Sequence, residues 1–428
     1  MTVVETFAAF IGIDWADREH AVCLASPETL LVEHRSLTQQ AEELDQWATE
    51  LRHRFGGRPV AVCLEQSRGP LAYALMKYEF LVLFPINPKQ LAKYRQAFTP
   101  SGAKDDPTDA ELLCRFVKEH HQHLRCWKPD DAQTRGLRLL TEARRQCVEQ
   151  RKAYGNRLLQ ELKESYPLAL TLKGKNIYAD RFLTLLAKYP TQRELQRASP
   201  RQLVKLLSRR RLATDDLPTD PKQDPRVLAI RAAHALVNDA MILQAARLAV
   251  VHLVALLQQF NKTIETYDRQ IAALLAQHAE ANLFAGLPGA AAAIQPRLVA
   301  AFGTDRQRYA SAEELQTLSG VAPISVKSGK SRVVKRRRAC PHFLRQTFHE
   351  FARCSRLKSA WAQAYYQLLR ARGFRFHAAI RALAFKWIRI LFRCWQERQP
   401  YEEERYLEQL RKKNSPLIAY LKTNTINN

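Results

Sequence analysis

Four carboxylates stand where acids can do chemistry together. Asp14 closes the apolar run AFIGID, Glu65 closes VAVCLE, and Asp106 and Asp109 open a helical pattern three residues apart. Spacing of i, i+3 sets two side chains on neighbouring parts of one helical face, pointing the same way. Phosphodiester chemistry asks for such a set, because two Mg²⁺ about 4 Å apart must be held by anionic oxygens while keeping positions open for the scissile phosphate. Each acid also has a plain structural reading. Asp106-Pro107-Thr108-Asp109 is a good helix start with an aspartate cap and proline in the first turn; Glu65 can end a strand, and Asp14, beside Trp15, can close a turn. Asp105 rivals Asp106 as a ligand, but only Asp106 has the three-residue spacing to Asp109. His120, His121 and His123 cluster in a polar connector with no Cys or acid to complete a tetrahedral metal set, and read as solvent-facing. No P-loop, dinucleotide fingerprint or HExxH occurs.

Bringing those acids together requires a sheet. Residues 9–15 and 20–25 are short β-prone runs joined by a polar turn, and 30–33 offers a third strand. A helix is expected over 39–54, then a Gly56-Gly57 break, a buried strand over 59–65, a helix over 71–78, a strand over 80–86 and a turn at Asn87-Pro88. A three-strand meander followed by helix and strand alternation is the order of an RNase-H-like α/β fold, in which the strand ends bearing Asp14 and Glu65 lie side by side. This sets an α/β domain over 1–130. Apolar residues at 137, 140, 147, 154, 158 and 162 predict a long charged helix over 134–166, and a second runs from 237 to about 278. The two helices pair antiparallel or between protomers. With the Pro-punctuated helical insert between them, including a loop at 217–225, they form a helical, coiled-coil linker over 131–280. A mainly α-helical module follows over 281–400, then a tail over 401–428. Its opening Gly286-Leu-Pro-Gly289 is similar to a helix-hairpin-helix turn, whose backbone amides grip phosphates.

The chain has 428 residues, 46% hydrophobic and 25% charged, which excludes disordered, collagen-like and disulfide-stapled classes. Its net charge of +25 exceeds what solubility requires and points to a polyanion. From Lys327 to Arg398 there are 19 Lys and Arg but only two acids, Glu350 and Glu397. The aromatics of that segment sit inside helical periodicity, which favours nucleic acid over lipid. The cysteines at 23, 63, 114, 126, 147, 340, 354 and 394 form no C-x-x-C pair and read as reduced core residues of a cytosolic protein. No signal peptide is expected. Met241 to Phe260 is the best candidate for a membrane span, but Arg247, His252 and several Gln interrupt it, so a buried amphipathic helix is expected instead.

Taken in order, Gly12-Ile13-Asp14, Glu65 four residues before Gly69, Asn87-Pro88, Lys104-Asp105-Asp106-Pro107-Thr108-Asp109-Ala110, Leu287-Pro288-Gly289, Gly320-Val321-Ala322-Pro323 and Ser328-Gly329 resemble the DEDD transposases of the insertion-sequence 110 family. The resemblance covers nearly the whole chain. It implies a RuvC-like domain whose Asp14, Glu65, Asp106 and Asp109 hold Mg²⁺ (or Mn²⁺), a helical linker, and a C-terminal transposase domain in which Ser328 attacks DNA to form a phosphoserine link. It further implies metal assistance from another protomer, a dimer-to-tetramer assembly, and a structured bridge RNA that pairs with double-stranded donor and target DNA. The expected place is the cytoplasm, at the nucleoid, with no membrane partner. A serine without a His/Asp triad needs metal help, and none is evident near Ser328. Lys327, Lys330, Arg332, Lys335, Arg336, Arg337 and Arg338 would hold the DNA backbone. Ser325 is the rival nucleophile and Ser331 a more distant one; without the resemblance Ser328-Gly329 reads as a turn in a solvated basic loop. Two departures stand out: Ala291 replaces a usual glycine, and the basic stretch from Arg336 to Pro341 replaces a glycine-containing turn. Two other functions fit the composition: a RuvC-type nuclease or junction resolvase using water, and a non-enzymatic nucleic-acid-binding protein.

Overall fold

The computed structural model describes residues 7–425 except 28–30, 66–68, 99–104, 208–219 and 330. The chain divides into two units, Met1–Pro129 and Asp130–Asn428.

The first unit is a mixed α/β domain on a five-stranded sheet. Strands β1 (Ala9–Asp14), β2 (Glu19–Ala25) and β3 (Val32–Thr38) form an antiparallel meander, followed by α1 (Ala41–Arg54), β4 (Val60–Leu64), α2 (Pro70–Leu75), β5 (Leu81–Pro85), α3 (Pro88–Phe98) and α4 (Asp106–His120). The spatial order is β3-β2-β1-β4-β5, with β4 parallel to both β1 and β5. β1 and β4 are buried along their whole length, as continuous apolar runs of central strands must be. Alternation sends Ile11, Ile13, Val62 and Leu64 to one face, against Trp47 and Leu71, and Phe10, Ala61 and Cys63 to the other, against Leu113 and Val117 of α4.

The third strand differs from expectation. It runs over 32–38 instead of 30–33, and five of its seven residues are exposed. An edge strand with one open side needs no apolar alternation, so VEHRSLT gave no apolar signal.

The second unit is largely helical. Helices α5 (Ala132–Ser165) and α11 (Ala240–Ala276) are its long members. They pair antiparallel within the chain: Thr134 at the start of α5 meets His278 just past α11 at 2.9 Å, Arg144 pairs with Asp268 at 2.5 Å, and Arg151 donates to Asn261 at 2.9 Å. The insert is a group of short helices, α6 (Pro167–Leu172), α7 (Asp180–Lys188), α8 (Gln192–Arg197), α9 (Pro200–Leu207) and α10 (Pro225–Ala232), sharing a core with Leu158, Leu162, Val250 and Leu257. The loop expected at 217–225 lies partly outside the described residues. By length and composition alone α11 could cross a membrane. In the structure Val250, Leu253, Val254 and Leu257 are packed, whereas Met241, Ile242, Leu248 and Val251 on its outer side are exposed, so the helix is less buried than expected.

The remaining elements are α12 (Gln295–Phe302), α13 (Ala312–Leu318), the hairpin β6 (Ile324–Ser328) and β7 (Ser331–Lys335), α14 (His342–Ser355), α15 (Ala360–Ala371), α16 (Phe376–Glu397), α17 (Glu403–Lys412) and α18 (Pro416–Thr425). Trp361, Trp387 and Trp395 are fully buried in their core. Each indole N–H finds an acceptor at 2.8 Å: the Tyr401 hydroxyl, Ser355 Oγ and the Gly303 carbonyl respectively. A satisfied N–H is what lets a large amphipathic ring be buried. The Pro-Gly turn is explained by packing, since a Cβ at Gly289 would stand 2.6 Å from the Cys354 carbonyl carbon. All eight cysteines are free; three are buried and five half-buried.

Candidate active site

Asp14 ends β1 and is only 8% exposed. The parallel register pairs Ile13 with Leu64, so Glu65, one residue past β4, stands level with Asp14. By alternation both belong to the face that carries Phe10 and Cys63, the face covered by α4. Burial and the nearby Glu65 carboxylate push the Cys63 thiol well above the usual range.

Helix α4 is seated on that face by an absence. A Cβ at Gly12 would lie 2.1 Å from the Ala110 carbonyl oxygen and 2.3 Å from the Cys114 nitrogen, so the helix backbone rests directly on β1. Cys114 reaches the Phe10 carbonyl at 3.2 Å. As β1 advances from Phe10 through Gly12 to Asp14, its partners on α4 recede from Cys114 toward Ala110, which carries the acidic start of the helix to the Asp14 end of the sheet. Gly12 stood in the sequence as part of a motif, but its reason, the close approach of a helix, is visible only in the fold.

The cap of α4 is Asp105, not Asp106: its carboxylate accepts from the Thr108 N–H at 2.8 Å, and hydrogen bonds from Thr108 hold its pKa below the ordinary value. The capping role therefore falls on the rival, leaving Asp106 uncommitted to it. Asp106 is exposed and lines an open depression with Glu19, Ala21, His34 and Ser36 of β2 and β3. Asp109 is 1% exposed and bound to Arg95 of α3, which donates from Nε at 2.7 Å and approaches with a terminal nitrogen at 2.5 Å. Arg95 was not singled out in the sequence; a lone arginine in a helical run carries no signal until its partner is known.

Asp14 and Glu65 thus stand at neighbouring strand ends on the face that α4 covers, while Asp109 is turned to Arg95 and Asp106 to the depression over β2 and β3. Among the described residues no three His, Cys, Asp or Glu stand close enough to hold one metal ion together. Carboxylate oxygens suit a hard divalent cation, and buried Asp14 and Asp109 fit that chemistry. The fit requires Arg95 to give up Asp109. Of the three histidines expected to face solvent, His123 is exposed, His120 packs one side on Phe116 at 5.2 Å, and His121 packs against Phe7 and Phe10 at 5.4 Å.

Ser328 belongs to an exposed β-hairpin instead of a loop. It pairs with Ser331, and Gly329 opens the tight turn with φ 55°. The alternating β-branched residues of ISVKSGKSRVV were the available signal for this hairpin, masked by its charge. Ser325 pairs with Val334 further down the same strand. Lys327, Lys335, Arg336 and Arg338 are exposed and Arg337 is half-buried; Lys330 and the side chain of Arg332 lie outside the described residues.

Residues 11–167 match the IS110 DEDD family, described as a transposase, and residues 281–367 match the Transposase IS116/IS110/IS902 family. A protein of Streptomyces coelicolor named as a mini-circle transposase for IS117 is 27% identical over 94% of this chain and 97% of its own length. A protein of Sinorhizobium fredii named as transposase y4uE is 29% identical over 49% of this chain and 58% of its own. An acid-bearing mixed sheet, a basic helical unit and these likenesses define the class: a DNA transposase. Within that class the chain belongs to the DEDD transposases of the insertion-sequence 110 family.

Proposed function

We propose that this chain moves an insertion element by cutting and rejoining DNA through a serine-linked intermediate, and that its sheet unit has the RNase-H-like (RuvC-like) fold. The observation that best supports the reading is the register of β1 with β4, which sets Asp14 and Glu65 at neighbouring strand ends, together with the seat on Gly12 of α4, the helix that carries Asp106 and Asp109. The strand order, antiparallel meander first and parallel strands after, supports the fold assignment. The working segments are 1–130 for the acids, 131–280 for the helical linker, 281–400 for the serine and DNA contacts, and a tail over 401–428.

Asp14, Glu65, Asp106 and Asp109 are the residues that would hold Mg²⁺ or Mn²⁺. When bound, such ions polarise a phosphoryl oxygen and lower the pKa of an attacking hydroxyl. Ser328 supplies that hydroxyl from the hairpin tip, where exposure lets it reach a phosphate. Its Oγ bonds to phosphorus as one bridging P–O bond to deoxyribose breaks; the serine proton passes to a base and the released deoxyribose oxygen takes one up. The phosphoserine keeps a phosphodiester-like bond, so rejoining to a new strand needs no other energy source. Lys327, Lys335, Arg336, Arg337 and Arg338, with Lys330 and Arg332, balance the charge that gathers on the phosphate. The acids serve the serine of another protomer in a dimer or tetramer. A structured bridge RNA selects the donor and target sites, which the basic but motif-poor surface supports, since base pairing then reads the sequence. The place of action is the cytoplasm, on the nucleoid.

The test is a denaturing gel of the reaction with double-stranded element-end DNA and co-purified RNA. Wild type should yield protein-linked DNA, Ser328→Ala should yield none, and Asp14→Asn should abolish strand exchange while binding persists. Cleavage with free DNA ends and no adduct would instead identify a water-using nuclease. A Ser328→Ala protein that still forms the adduct would overturn the nucleophile assignment and point to Ser325.

A further inference from the structure

Beyond the hairpin, the second unit gathers cations on two packed helices. His349 and Arg353 lie one turn apart on α14, and His377 and Arg381 one turn apart at the start of α16, so each pair shares a helical face. The faces meet: His377 Nδ1 is 3.4 Å from His349 Nε2, and the rings are 5.4 Å apart at an interplanar angle of 30°. Arg336, the first residue past β7, is near enough to act electrostatically on both His349 and Arg381.

Nothing in this cluster offsets its charge. After burial, the influences that lower the His349 pKa come from His377, Arg381, Arg336 and Arg353, none of them an acid. Among the described residues Arg336, Arg353 and Arg381 have no carboxylate partner, and Glu350, the acid next to His349, is bound to Arg145 at 3.0 Å. Burial, then Arg336, also lowers the Arg381 pKa. Packing like charges against one another costs stability, and an anion that enters from outside recovers it. The guanidinium forks are donors and each imidazole can supply an N–H, which suits a tetrahedral oxyanion, and the surrounding guanidinium charge disfavours a metal cation.

We propose that Arg336, His349, Arg353, His377 and Arg381 form a binding site for one backbone phosphate of double-stranded DNA. The proposal rests on reading the chain as a DNA-cutting transposase and adds to it a contact apart from the hairpin. The fold supplies a distance as well. Five residue steps separate Ser331, which faces Ser328 across the hairpin, from Arg336. At about 3.4 Å per extended residue this is roughly 17 Å, or about five phosphates at a rise of roughly 3.4 Å per nucleotide. The site therefore holds a phosphate about five nucleotides from the one attacked.

The experiment measures the affinity of the full-length protein for a fluorescent DNA duplex across a range of KCl concentrations. One lost phosphate contact lowers the slope of log K against log[salt] by about 0.9. Arg381→Gln should show that decrease, and so should Arg353→Gln, whose exposed side chain makes it safe for folding if the Arg381 variant is not. Selective ¹³C labelling of histidine should show the His349 pKa rising on addition of DNA. Wild-type slopes in a folded Arg353→Gln protein, with an unmoved His349, would overturn the site. A slope change seen with an RNA hairpin but not with the DNA duplex would overturn its assignment to DNA. If the wild-type chain binds no duplex at all, the underlying transposase reading fails instead.

Discussion

Arg95 and Asp109 form an ion pair in which the carboxylate is 1% and the guanidinium 14% exposed. Removing one partner of a buried pair costs about 3–5 kcal/mol because the other charge loses its compensation. Arg95→Met should accordingly lower the thermal midpoint. If Asp109 is a cation ligand, millimolar Mg²⁺ should restore part of that loss in Arg95→Met and none in the Arg95→Met, Asp109→Asn double variant. His349 gives a pH prediction. Burial, reinforced by the cations around it, lowers its pKa from 6.5 to about 4. Between those values the unfolded chain holds the proton and the folded chain does not, so stability rises with pH. The contribution is complete above about pH 6.5 and is lost as pH falls toward 4. Urea unfolding at pH 7 and pH 5 should show this loss, and His349→Gln should reduce it.

At the scale of elements, the contact that matters most is α4 on β1. A methyl group at Gly12 has a backbone carbonyl and a backbone amide in its way, neither of which can rotate aside as a side chain would. Overpacking ordinarily costs about 1–3 kcal/mol, and more where only backbone can yield. Gly12→Ala should therefore lower the thermal midpoint and abolish strand exchange by displacing α4, while DNA binding by the second unit persists. Exchange at wild-type rates in that variant would separate the α4 position from catalysis. The α5 and α11 pair is set more diffusely, by the antiparallel contacts of Arg144 with Asp268 and Arg151 with Asn261, and no single one of these is expected to decide it.

For the whole molecule the governing quantity is the charge of +25. Neutralising phosphates releases their counterions, so duplex affinity should fall steeply with salt, by about 10³ to 10⁵ between 50 and 200 mM if six to ten phosphates are contacted. A fluorescence titration at those two concentrations checks this, and an affinity indifferent to salt would remove the electrostatic basis of the DNA reading.

Local pattern determined a good deal of this protein. Apolar runs located β1, β2, β4 and β5, helical periodicity located α5 and α11, and the surplus of Lys and Arg after residue 327 marked the basic segment, because each is a property of neighbours along the chain. The full extent of the polar edge strand β3 and the charged β6 and β7 hairpin were hidden, since neither is covered on both sides and neither needs an apolar signature. Why residue 12 is glycine, that Arg95 holds Asp109, and that His349 faces His377 were decided by the tertiary structure alone. Those facts depend on side chains and backbone brought together from distant parts of the chain, and packing geometry of that kind has no counterpart in residue spacing.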